Sequence, residues 1–165
     1  MIRDIVTWPD PVLSRVCAPV EHIDAAAKLA RDLLETMYAA PGRGLAAPQI
    51  SEAVRVFVMD VAKSEEEPSP VVMINPVLLD ASETRATGTE ACLSIPGVAA
   101  DVERATRIHM EWIDERGERQ TAWLEGIAAI CAQHELDHLD GLVIFDRLEP
   151  GARDAALVLY DGARV

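Results

Sequence analysis

Two histidines four residues apart, in the run His134-Glu135-Leu136-Asp137-His138, constrain this chain more than any other feature. On an α-helix, positions i and i+4 lie about one turn apart on the same face. Both imidazoles can then approach one ion at roughly 2.0–2.1 Å. Glu135 is offset around the helix, able to reach a metal-bound water rather than the metal, which is the arrangement of two ligands plus a general base. The bland alternative is a pair of surface histidines on a charged helix. Against it, Ile127, Ile130 and Cys131 extend an apolar wall beside the same face, which a fully solvated helix does not need.

A catalytic tetrahedral site wants a third protein ligand and one open position. Glu149 stands 11 residues beyond His138, past the helix stop at Gly141, and no histidine follows. Cys131 is seven residues from His138, about 10 Å along a helix axis, too far to share an ion comfortably with both rings. His109 alternates with core residues, as a polar-face position does. Cys92 lies in the non-helical stretch Glu90-Ala91-Cys92-Leu93-Ser94, which a fold can bring opposite the helix. Spacing alone leaves the third donor open.

The rest of the chain reads as α+β, one domain over residues 1–165. Residues 8–20 form an extended arm with turns, and a helix runs from Asp24 to about Ala40, with Leu29, Leu33, Leu34 and Met37 on one face. A Gly/Ala/Pro-rich loop over 42–49 precedes a strand at Val54–Met59. Short strands broken at Asn75-Pro76 follow, over 71–79. A hairpin pairs 107–112 with about 119–124 across Asp114-Glu115-Arg116-Gly117. The metal-motif helix spans 126–139, then come a short strand at 142–145 and a last helix near 152–159. Strands arrive in hairpins rather than in βαβ alternation. The polar stretch 63–70 reads as a solvated loop, and Cys17 as a core residue.

Composition narrows the function. The formal net charge is −13, from 28 acidic against 15 basic side chains, which counts against a nucleic-acid partner because phosphate binding needs a cationic face. No apolar run nears the roughly 20 residues of a membrane helix, and the start lacks a secretory pattern. Three cysteines without a CxxC pair suit a reducing compartment, so the expected location is cytoplasmic. The loop at 42–49 lacks the Gly-Lys-Ser/Thr ending of a phosphate-binding loop.

Three ordered segments together resemble the peptide deformylase family: GxGxAAPQ at Gly42–Gln49, a version of EGCxS at Glu90–Ser94, and HExDH at His134–His138. The resemblance runs from the first helix to about Phe145. It implies antiparallel and mixed sheets packed around a central metal-binding helix, and removal of the N-formyl group from formyl-methionyl peptides with release of formate, a step in protein maturation. It further implies that Cys92, His134 and His138 bind one divalent ion, usually Fe²⁺ and replaceable by Zn²⁺, Ni²⁺ or Co²⁺. Glu135 is then the acid/base, and Gln49 and the Leu93 N–H face the formyl oxygen. The substrate-binding set is Arg43, Gly44, Ala91, Ile127, Ile130 and Cys131, and the partner is an N-formylated peptide or nascent-chain N-terminus.

The chain departs from the pattern at three places. Arg43 stands where the family has an apolar residue, either attracting an acidic group on a substrate or projecting into water. Ala91 replaces a glycine, where a methyl could crowd the peptide or exclude a conformation that only glycine takes easily. Many members carry an arginine soon after Ser-Ile-Pro, and Arg104 is the first available here. These departures leave open a paralogue acting on another N-formyl or small amide substrate, and a non-catalytic peptide- or metal-binding descendant. An HExxH endopeptidase is the remaining enzyme alternative.

Overall fold

The computed structural model describes residues 1–62 and 66–163. Helix α1 (Ile23–Ala39) leads into strand β1 (Gly44–Ala46), then β2 (Val56–Met59), β3 (Val71–Ala81), β4 (Arg85–Cys92), β5 (Ile95–Ala105), β6 (Arg107–Ile113) and β7 (Arg119–Glu125), and helices α2 (Gly126–Leu139) and α3 (Pro150–Ala163) follow. Five strands form one antiparallel sheet in the order β1-β2-β3-β6-β7, and β4-β5 is a separate hairpin.

Helices cover both faces of the five-stranded sheet. Val56 and Val58 pack toward Ala26, Ala30, Leu33 and Met37 of α1, while Phe57 and Met59 pack toward Ala129, Ala132 and Leu139 of α2. All four β2 residues are therefore buried, which is why this strand reads as a continuous apolar run. A third cluster joins the β4–β5 hairpin to the N-terminal arm and α3, through Val98, Val102, Phe145 and Tyr160. There Trp8 packs edge-on against Phe145 at 5.0 Å between centroids, and the Tyr160 hydroxyl donates to the Trp8 carbonyl.

Several expectations change. The break at Asn75-Pro76 is an irregularity inside one long strand: Asn75 takes φ 49°, and its side chain holds the Val20 N–H and carbonyl at 2.8 and 3.0 Å. The stretch read as a strand at 142–145 instead turns into a 3-10 helix at Ile144–Arg147, because the Asp146 carboxylate accepts from the Val143 N–H at 2.9 Å. The arm contains a 3-10 turn, Pro11–Ser14, capped by Asp10. Of the loop at 63–70, residues 63–65 lie outside the described residues. Cys17 is buried in the core as expected.

The arm straps the loops that carry the site: Val6 N–H donates to the Gln49 carbonyl and Trp8 N–H to the Ser94 carbonyl, both at 2.9 Å. Helix α2 is held at both levels. The Gln133 amide exchanges hydrogen bonds with the Ala105 backbone at 3.2 and 2.9 Å, and the Arg55 guanidinium caps the Leu139 carbonyl at 3.1 Å.

Candidate metal centre

Cys92 ends β4, and the short turn at Leu93-Ser94 swings the chain into β5. This places the thiol beside α2, where Cys92, His134 and His138 each offer a ligand atom and all three atoms lie within 4.8 Å of one another. The Sγ–Nε2 distance from Cys92 to His138 is 3.4 Å. The other two candidates for third donor are occupied elsewhere. The Cys131 thiol lies 3.6 Å from the Arg43 carbonyl, and the His109 ring stacks on Trp123 at 4.9 Å.

Each imidazole is oriented by its surroundings. The Glu90 carboxylate accepts from His134 Nδ1 at 3.0 Å, which leaves Nε2 as the nitrogen free to face an ion. Glu90 is in turn gripped in a two-point contact by Arg104 at 3.0 and 2.9 Å. Arg104 also donates to Asp137 at 2.6 Å, and Arg147 closes the chain onto Asp137 at 3.0 and 2.6 Å. Burial opposes the charge on Glu90 and on Arg104. The His134 and Arg104 hydrogen bonds still hold Glu90 below the usual carboxylate range, and Glu90 with Asp137 holds Arg104 above its ordinary value. Arg104, the first arginine after Ser-Ile-Pro, is buried behind the site and is not among the residues that line the cleft.

Does this set suit a divalent cation? Burial pushes His134 down, but its hydrogen bonds to Cys92 and Glu90 outweigh that and hold it well above its ordinary pKa. His138 lies well below, through burial and then the positive charges of His134 and Arg104. The Cys92 sulfur and one nitrogen of each ring converge on a single position, all three within 4.8 Å of one another. One thiolate and two imidazoles are donors that divalent transition metals accept. The donor set fits the ion.

Glu135 is buried beside the cluster, and its Oε2 has no hydrogen-bond partner. Burial, countered by the charges of His134 and Arg104, pushes its carboxyl up to about 7. A buried, unpartnered carboxylate is costly to the fold, and such groups gather at functional sites. Gln49 is also buried, and its orientation is unambiguous. Oε1 accepts from the Ala46 N–H at 2.9 Å, so Nε2 is the end that points to Ser94 Oγ at 3.1 Å and to Cys92 Sγ at 3.7 Å.

A cleft of about 370 Å³ opens over these groups. Its lining includes Arg43, Gly44, Gln49, Ala91, Cys92, Leu93, Ile127, Ile130, Cys131, His134 and Glu135. Every residue expected at the site except the fully buried His138 therefore borders this one cavity. Edge strand β1 forms one wall and the end of β4 the other. Ala91 is in ordinary strand backbone, so the conformational objection to it disappears and only the bulk of its methyl remains. Sequence reasoning missed the orienting roles of Glu90, Arg104 and Asp137.

Gly44 is needed for close approach. A Cβ there would fall 2.6 Å from Glu135 Oε1 and 2.9 Å from Cys131 Sγ. Gly44→Ala should therefore displace the Glu135 carboxylate and lower kcat by about 10²-fold, the usual cost of an ångström-scale misplacement. Metal content by elemental analysis should stay unchanged.

An HExxH helix faced by a third donor from another element marks a metal-dependent hydrolase. The comparisons sharpen that class. Residues 2–154 match the profile of the polypeptide deformylase family. A peptide deformylase of Mesorhizobium japonicum is 46% identical over 154 residues, covering 93% of this chain and 88% of that protein. One from Alkalilimnicola ehrlichii is 51% identical, covering 89% and 82%. Among solved structures, the peptide deformylase of Thermus thermophilus superposes with a TM-score of 0.91 at 43% identity, covering 98% and 95%. That of Synechococcus elongatus in complex with actinonin gives 0.90 at 37%, covering 94% and 86%. The chain belongs to the polypeptide deformylase family, and it is an enzyme, a metallo-amidohydrolase that removes N-formyl groups from peptides.

Proposed function

We propose that residues 1–165 act as one catalytic domain in which Cys92, His134 and His138 hold a single divalent ion, natively Fe²⁺, and Glu135 moves the proton during deformylation. The observation that carries this reading is the convergence of three donor atoms within 4.8 Å beside the unpartnered Glu135 Oε2. When bound, such an ion supplies Lewis acidity, polarising the formyl oxygen and making a coordinated water acidic.

The chain's own groups do the rest. Glu135 accepts a proton from the attacking water and delivers it to the departing amine, so that the C–N bond breaks to give formate and a free N-terminus. Gln49 Nε2 and the Leu93 N–H donate to the formyl oxygen as it gains negative charge, each such donor being worth about 3–4 kcal/mol. Ile127, Ile130 and Cys131 take up the apolar side chain of the first residue. Gly44 and Ala91 border the path of an extended formyl-methionyl peptide between β1 and β4. Arg43 stands at the rim. Among the described residues no helix is long and apolar enough to cross a membrane. We place the enzyme in the cytoplasm, acting on nascent-chain N-termini rather than on nucleic acid or membranes.

The test is formate release from a formyl-Met-Ala-Ser peptide by protein purified anaerobically with Fe²⁺, or with Ni²⁺. A chelator is expected to abolish turnover and the added ion to restore it. Turnover that survives complete metal removal would contradict the reading.

A further inference from the structure

Arg43 sits between Gly42 and Gly44 at the entry to β1, and its main chain is pinned. Its carbonyl accepts from the Asp60 N–H at 2.8 Å and lies 3.6 Å from the Cys131 thiol. The side chain itself is exposed. It borders the catalytic cleft and also an adjoining cavity of about 430 Å³, shared with Tyr38, Asp60 and Pro68.

Two facts make this guanidinium unusual. It is the one arginine or lysine among the described residues that line the cleft, whose floor otherwise mixes apolar side chains with the metal donors. Among the described residues it also makes no ion pair, unlike Arg3, Arg55, Arg85, Arg104, Arg107, Arg119, Arg147 and Arg153; Arg15, Lys28, Arg31 and Arg116 are likewise without one but lie away from the cleft, so only Arg43 combines the two. The acid that lines the adjoining cavity among the described residues, Asp60, already holds other donors. Asp60 accepts from the Tyr38 hydroxyl at 2.6 Å and from the Ala62 and Ser69 N–H groups at 3.0 and 3.1 Å. A cation that borders both cavities and has no ion-pair partner among the described residues is a ready partner for an anion that arrives with the substrate. Repulsion from the net charge of −13 is screened beyond roughly 8–10 Å, whereas a contact pair is not.

We infer that Arg43 makes this enzyme prefer formylated peptides that bring a carboxylate to the cleft rim, from an acidic side chain next to the formyl-methionine or from the C-terminus of a very short peptide. The inference rests on the deformylase reading and narrows its substrate class.

The experiment compares kcat/KM at low salt for formyl-Met-Glu-Ala-amide, formyl-Met-Gln-Ala-amide and formyl-Met-Lys-Ala-amide, and for formyl-Met-Ala with and without C-terminal amidation. The Glu peptide should exceed the Gln peptide about fivefold, the size of a well-placed but solvated ion pair. The Lys peptide should fall below both. The difference should lie in KM, as uniform binding requires, and shrink at high salt. In Arg43→Leu the Glu/Gln ratio should approach one, and in Arg43→Glu the order of Glu and Lys should invert, which a purely structural role cannot produce. A preference seen only in the amidation pair supports the inference and assigns the carboxylate to the peptide C-terminus. Wild-type ratios within twofold of one in both pairs, or a Glu preference that persists in Arg43→Leu, would overturn it while leaving deformylation intact. Failure to release formate from any of the peptides would overturn the catalytic reading, and this inference with it.

Discussion

Glu135→Gln is expected to lower kcat by about 10²- to 10⁴-fold, the range supplied by a positioned acid/base group, with metal content and fold intact. Glutamine has the same shape and cannot take a proton at the position of Oε2. Among the described residues no hydrogen bond ties Oε2 to the fold, although the side chain is buried. The melting temperature should therefore stay within a few degrees of the wild type. Single-turnover formate release separates chemistry from product departure. A variant that retains more than about a tenth of wild-type kcat would remove Glu135 from the mechanism.

Arg104→Met should have the largest effect on stability. The guanidinium is buried and, among the described residues, is the only group that joins Glu90 to Asp137, with one bond of 2.6 Å to Asp137 and two of about 3 Å to Glu90. Its removal leaves Glu90 with His134, and Asp137 with Arg147, as the remaining side-chain partner among the described residues. Breaking a buried charge network from one side costs about 3–5 kcal/mol. For a chain of this size that is a fall in Tm of roughly 6–20 °C, at about 2–4 °C per kcal/mol. Because Glu90 orients His134, metal affinity should also fall about 10- to 100-fold, as for other residues that hold a ligand in place. Calorimetry with metal titration reads both effects. A Tm change under about 3 °C would show that the network does not hold the site together.

The parts of this molecule that were legible in the sequence are those whose cause is local. Helix α2 runs over Gly126–Leu139, as its pattern indicates, and Gly126 and Gly141 at its two borders take the positive φ values of 57° and 76°. The β6–β7 hairpin was equally plain, since Asp114 caps its own turn by accepting from the Arg116 and Glu118 N–H groups. By contrast β4 and β5 do not alternate cleanly. They read only as a non-helical stretch around Cys92, and the hairpin that carries the thiol to the histidines emerged from tertiary packing. The same holds for the network behind the site. Arg104 meets Glu90 across 14 positions and Asp137 across 33. Charged residues read as surface until their partners bury them. At the 142–145 segment the apolar residues suggested a strand, and a single capping carboxylate, Asp146, turned the chain into a 3-10 helix. The resemblance chose Cys92 from three candidate donors. The fold gives the physical reason, having engaged Cys131 with the Arg43 carbonyl and His109 with Trp123.

X-ray absorption at the zinc edge, on protein loaded with one equivalent of Zn²⁺, tests the metal site most directly. One sulfur at about 2.3 Å and two imidazole nitrogens at about 2.0–2.1 Å are expected, with the sulfur shell lost in Cys92→Ala. A spectrum with nitrogen and oxygen neighbours only, or one unchanged by that substitution, would contradict the assignment.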